Sequence, residues 1–134
     1  AIPDVVLQKS GSLDPTEWDF IHSHTLIGQR ILGAAPALRP VGTIVRSTHE
    51  NWDGTGYPDG LAGEAIPLAA RIIAACDAYS AMTSDRPYRA ARTPAAAVAE
   101  LRRCAGRQFD CQVVELLCAV LADEAEPARL AVGT

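Results

Sequence analysis

The sequence predicts an all-α protein, a helical bundle interrupted by one long glycine-rich loop. Three features carry that expectation. Polar caps stand at the start of successive segments, in Asp14-Pro15-Thr16-Glu17, Thr93-Pro94 and Asp110, where a side-chain oxygen can accept from the unpaired N–H groups of a first helical turn. Apolar residues recur at offsets of three and four, the spacing of one helix face. No segment shows the two-residue alternation of a half-buried strand.

The first helix is expected from Pro15 to about Gly33, with Phe20, His24, Ile27 and Ile31 on one face turned toward the core. His24 then points inward, and His22, two residues earlier, falls on another side as a surface residue. A second helix is predicted from about Ala37 to Thr48, with Val41, Ile44, Val45 and His49 on one side and His49 at its C-terminal end. Pro40 lies in its first turn, where a missing N–H costs little. Residues 50–66, ENWDGTGYPDGLAGEAI, are too rich in glycine to continue a helix, and a loop of this length inside a compact domain is usually functional or disordered. Trp52 and Tyr57 favour an ordered loop. A third, alanine-rich helix runs from about Pro67 to Thr83. After SDRPYRAAR, Thr93-Pro94 opens a fourth helix closed by Gly106. Asp110 caps a last helix from about Cys111 to Ala122, with Val114, Leu117, Cys118 and Leu121 inward. Residues 1–124 form one domain in this reading, and 125–134 a flexible tail.

Composition excludes several functions. With 134 residues, 49% of them apolar and 21% charged, the chain suits a single folded domain rather than a disordered segment. Its net charge of -4 opposes a nucleic-acid polymer or an anionic membrane as partner. No apolar run is long enough to span a bilayer and no signal peptide is recognisable, so a cytoplasmic location is expected. Cys76, Cys104, Cys111 and Cys118 lack CxxC spacing and are read as buried free thiols, with Cys111 and Cys118 on one helix face.

Asp77 is the most telling single residue. It follows Ile73 and precedes Ala81 at helical spacing on a face predicted to be buried. A buried carboxylate has to be paired, hydrogen-bonded, metal-bound or protonated, and Arg71 is an alternative partner to a metal. His24 and His49 carry the same alternative, because a histidine on an apolar face can be a satisfied core side chain. Two histidines and an aspartate on three helices can also converge as metal ligands in a bundle core.

The combined string His49-Glu50-Asn51-Trp52-Asp53-Gly54-Thr55-Gly56-Tyr57-Pro58-Asp59-Gly60-Leu61, with Ile66-Pro67 and Ala70-Arg71-Ile72 after it, resembles the HD-GYP family loop HHExWDGxGYPxGLxGxxIPxxARI. The next helix, Cys76-Asp77-Ala78 through Thr83-Ser84-Asp85-Arg86-Pro87-Tyr88-Arg89, resembles the family's ADxxDAxTSDRPYR. Likeness extends over residues 1 to about 121. The resemblance implies an incomplete HD-domain-like all-α fold with a long GYP loop. It implies a metal-dependent phosphodiesterase lineage acting mostly on cyclic di-GMP, with iron or manganese as cofactor. Carried over by position, His24, His49 and Asp77 are implied metal ligands, and Arg86 and Arg89 implied contacts to substrate phosphates. Gly56, Tyr57 and Pro58 form the GYP loop, implied to shape the site and to dock a signalling partner. Lys9 matches a common family lysine and is expected to be solvated.

The chain departs from the family pattern at identifiable places. Thr48 stands where the family has the first histidine of a His-His pair, Ser80 replaces the second aspartate of the helix motif, and Asn51 replaces a frequent arginine. The family's HDxGK motif is expected just before residue 1 and is absent from the sequence. These departures favour a partial or degenerate HD-GYP module, inactive alone and acting in signalling or interaction. The alternative is the C-terminal part of an active cyclic dinucleotide phosphodiesterase whose other ligands come from a longer parent or another chain. An apolar face left uncovered predicts a homo-oligomer with the helix around Phe20 to Ile31 at or near the interface.

Overall fold

A computed structural model describes residues 15–124, without the side chains of residues 17–22. Five α-helices follow one another among these residues: α1 (Pro15–Gly33), α2 (Arg39–Arg46), α3 (Leu68–Met82), α4 (Pro94–Cys104) and α5 (Cys111–Glu124). The all-α expectation is met, since only isolated backbone bridges supplement the helices among the described residues. The readings placed on Lys9, Asp14, the side chains of Phe20 and His22, and residues 125–134 lie outside the described residues.

Two packing units arise. In the first, α1 and α2 lie against each other, joined by the short 3-10 turn Pro36–Leu38. Gly42 permits their close approach: a β-carbon there would sit 3.2 Å from the Gln29 carbonyl oxygen and 3.4 Å from Leu32 Cβ. In the second, α3, α4 and α5 enclose a core of Ala75, Met82, Ala97, Leu101, Phe109, Val113, Val114 and Cys118. The α4 cap is the expected one, with Thr93 Oγ1 accepting from Ala96 N at 3.1 Å. Asp110 Oδ1 likewise accepts from Gln112 N at 2.8 Å at the start of α5.

Several expectations are corrected. Ile27 and Ile31 are 49% and 69% exposed, whereas Thr25 is buried, so the α1 face that packs on α2 is offset from the apolar stripe. Val41 is also exposed. The periodicity was helical, but the surface that α2 covers is the one carrying Gly28, Gln29 and Leu32. Helix α2 stops at Arg46, and His49 stands in the turn beyond it rather than on its last turn. Cys76 and Cys111 are exposed, and only Cys118 is buried, because the inward positions of α3 and α5 fall on Ala75 and on Val113 and Val114. Asp77 is exposed too, as is Ile73, since α3 buries Ala70, Ala75 and Met82 instead.

Candidate functional site

The site begins with the turn after α2. Ser47 N and Thr48 N donate to Ile44 O and Val45 O, and Glu50 N donates to Ser47 O, which turns the chain sharply and brings His49 out of the helix. There His49 Nε2 lies 3.0 Å from His24 Nε2 on α1, the two rings nearly perpendicular at 74° with centroids 4.7 Å apart. Two residues 25 positions apart thus bring their Nε2 atoms into contact. Tyr57 stacks on the His49 ring, at 5.2 Å between centroids and 5° between planes.

The loop that delivers Tyr57 is ordered by a buried carboxylate. Glu50, 3% exposed, accepts from three loop amides: Asp59 N at 3.1 Å and Leu61 N at 2.9 Å on Oε1, and Gly60 N at 3.2 Å on Oε2. Gly56 passes so near the preceding backbone that a β-carbon would collide with His49, Glu50 and Asn51, so only glycine fits. Arg46 then ties the loop to both helices of the first unit. Its Nε and Nη2 each donate to an Asp59 carboxylate oxygen at 2.8 Å, and Nη1 donates to Gln29 Oε1 at 2.9 Å. The base of the loop meets the three-helix unit through Trp52 N to Gln108 O at 3.1 Å and Asp53 N to Arg107 O at 2.8 Å.

A cleft of about 700 Å³ opens between this loop and α3. His49, Gly56 and Tyr57 line one side, Asp77 with Ala74, Ala78 and Ala81 the other, and Phe109 also contributes. Small side chains on α3 leave the room. Desolvation holds the His49 imidazole below its ordinary pKa, the neighbouring His24 pushes it the same way, and the negative charge of Asp77 opposes both. His49 is still exposed on the cleft, with His24 edge-on to its ring and Tyr57 stacked against it. Burial pushes the Tyr57 phenol upward.

The donor set suits a divalent metal in part. Two neutral imidazoles are suitable ligands, and their 3.0 Å nitrogen separation matches the span of two nitrogens on one ion with bonds of about 2.1 Å. Asp77 shares the cleft, but no group of three His, Cys, Asp or Glu residues forms a metal cluster among the described residues. Of the predicted trio, His49 and Asp77 line the cleft, and His24 touches His49 without lining it. Arg86 and Arg89 are exposed on a turn closed by their own backbone hydrogen bonds and do not line the cleft; Arg89 Nη2 reaches only Ala81 O, at 3.2 Å.

The alternative partner for Asp77 is spoken for elsewhere. Arg71 Nη1 donates to the buried Asp110 at 2.7 Å, its Nε donates to Ile66 O at 2.9 Å, and its guanidinium lies 5.8 Å from the Trp52 ring. Sequence reasoning missed Glu50, Arg46 and Asp59 as builders of the site. An acidic residue adjoining a ligand histidine and followed by turn glycines was the available signal for Glu50; Arg46–Asp59 left none.

Comparison with known proteins agrees with this architecture. The HD domain family model matches residues 1–113. The chain belongs to the HD-domain family. Among relatives of this HD domain, the cyclic di-GMP phosphodiesterase response regulator RpfG of Xanthomonas campestris is 46% identical over 119 residues, covering 87% of this chain and 32% of its own length. A cyclic di-GMP phosphodiesterase of Thermotoga maritima is 40% identical, covering 85% of the chain and 32% of its own length. The 3'3'-cGAMP-specific phosphodiesterase 2 of Vibrio cholerae is 38% identical, covering 87% and 23%. These names agree with the HD-GYP resemblance of the loop. The chain spans about a third of the length of the first two relatives. A solved cyclic GMP-AMP-specific phosphodiesterase of V. cholerae shares the fold, with a TM-score of 0.67 and 20% identity, covering 96% of this chain and 33% of that one. No described helix is long and apolar enough to cross a membrane.

Proposed function

We propose that this HD domain carries part of a metal-dependent phosphodiesterase site for cyclic dinucleotides, with His24 and His49 as neighbouring ligands and Asp77 facing them. The observation that carries the reading is the 3.0 Å approach of the two Nε2 atoms beside the cleft. The cyclic dinucleotide phosphodiesterases among its relatives suggest the substrate class. A divalent ion, iron or manganese by family resemblance, would supply Lewis acidity toward a phosphodiester oxygen and lower the pKa of a water.

The chain's own residues do the rest. His49, kept neutral by its desolvated setting, presents a nitrogen lone pair at physiological pH. Asp77 contributes a carboxylate from the opposite wall, solvated in the cleft and able to act as ligand or as proton acceptor. Ala74, Ala78 and Ala81 give a floor without bulk, and Phe109 and Tyr57 give apolar walls that suit a planar base. Arg86 and Arg89, just past the end of α3, are candidates for substrate phosphates arriving over that wall.

A second reading, a module that binds in signalling without catalysis, is favoured by Thr48. Its hydroxyl donates to Val45 O at 2.9 Å and is a poor substitute for an imidazole. In this reading the GYP loop, Gly56 to Pro58, meets a protein partner. Hydrolysis of cyclic di-GMP by the manganese-loaded protein separates the two. Turnover that disappears in both His49→Ala and Asp77→Ala supports the enzyme reading. Metal binding with no turnover supports the binding module, and turnover retained in both variants contradicts the site.

A further inference from the structure

An imidazole just beyond a helix has two side-chain torsions to settle, and the one next to the ring is soft. Metal-ligating histidines usually settle it by donating the second ring N–H to a carboxylate or carbonyl. His49 does not: among the described residues its only ring hydrogen bond is the Nε2 contact to His24. Its remaining restraint is the Tyr57 ring, stacked within 5° of parallel.

Tyr57 is itself tied to His49 through the backbone. Its backbone N donates to the His49 carbonyl at 3.2 Å, so the residue that carries the imidazole also anchors the residue that covers it. Gly56 lets that loop close by lying against the His49–Asn51 backbone. On the far side of Tyr57, Glu50 grips the amides of residues 59, 60 and 61 from a position that is almost fully buried. A carboxylate on three amides is a strong, short-range restraint. These three bonds all go to loop amides, so its hold on Tyr57 passes through the loop.

From this geometry we propose that Tyr57 is a positioning residue, its ring locking the His49 imidazole so that Nε2 faces His24, with Glu50 as the buried strut that holds Tyr57 there. The inference rests on the metal-ligand reading for its purpose, but ring locking is a property of the metal-free protein. The phenol hydroxyl is not required for a stacked face, whereas the aromatic plane is. Tyr57→Phe therefore preserves the effect and Tyr57→Leu abolishes it.

Nuclear magnetic resonance of ring-labelled histidine in the metal-free full chain tests this at one fixed pH. The chain has three histidines, so His49→Ala and His24→Ala assign the signals. The His49 ring protons are expected to carry a ring-current shift that Tyr57→Phe retains and Tyr57→Leu loses, with Glu50→Gln reducing it while the helical circular dichroism is unchanged. A His49 ring signature in Tyr57→Leu equal to wild type overturns the proposal, as does its equal loss in Tyr57→Phe and Tyr57→Leu. Titration with Co(II) alone then reads the consequence. Tyr57→Leu should bind about tenfold more weakly, the scale of an outer-shell contribution, and Tyr57→Phe as wild type; equal affinity in all three contradicts a positioning role. If His49→Ala binds Co(II) like wild type, the metal reading falls, and the ring signature still decides whether Tyr57 locks His49.

Discussion

Glu50 and Arg46 show how much of the site depends on residues that touch no substrate. Glu50 is 3% exposed and holds three amides, so replacing its carboxylate leaves buried donors without an acceptor. Glu50→Gln offers one acceptor oxygen instead of two and points an NH2 group at backbone donors. A loss of about 1 to 3 kcal/mol is expected in denaturant unfolding, with faster hydrogen exchange at amides 59 to 61. Arg46 and Asp59 form a different restraint, accessible to solvent. The Arg46 guanidinium holds the Asp59 carboxyl below its ordinary pKa of 3.8. A carboxylate with a depressed folded pKa contributes stability above the unfolded pKa and loses it as pH falls through the folded one. Trp52 fluorescence should therefore report loosening of the loop only below about pH 4. In Asp59→Asn that acid step should be missing, and a step of unchanged size would assign it to another group. The contribution is small, because an exposed pair is screened by water.

At the scale of elements, the helix starts and the long loop were legible because capping and turn chemistry act locally. Thr93 and Asp110 accept from the expected amides, and residues 50–66 contain only a short 3-10 turn, Gly63–Ala65. Which face each helix buries was not legible in the same way. Asp77 was expected inside because it shares a stripe with Ile73, yet α3 turns Ala70, Ala75 and Met82 inward. Alanine is small enough to be chosen for fit rather than hydrophobicity, and its pattern gives little directional signal. The pairing of Arg71 with Asp110 was hidden for another reason: it joins residues 39 apart. Removing one partner of so buried a pair strands the other's charge, so Asp110→Ala should cost about 3 kcal/mol or more, part of it from the lost α5 cap. Asp110→Asn keeps a capping oxygen and should cost less. Equal losses in urea denaturation would mean that the charge, not the cap, dominates.

For the whole molecule, the placement of Asp77 across the cleft from His49 depends on two packing units agreeing. His24 belongs to α1, which rests on α2, while Asp77 belongs to the α3–α4–α5 core. The loop joins them, held by Arg46 on one side and by the Gln108 and Arg107 carbonyls on the other. Leu101→Ala in that core should lower stability by about 2 to 5 kcal/mol in denaturant unfolding while leaving the His24–His49 approach intact. Resemblance of the motif strings made the histidines readable as a pair in sequence; only the fold brings their nitrogens within 3.0 Å. Calorimetric titration of Mn(II) into metal-stripped protein tests that pairing most directly, comparing wild type with His24→Ala, His49→Ala and Asp77→Ala. The expected result is a binding heat in wild type, its loss in both histidine variants and a weaker affinity in Asp77→Ala. Equal heats from all four proteins would contradict a metal centre built on His24 and His49.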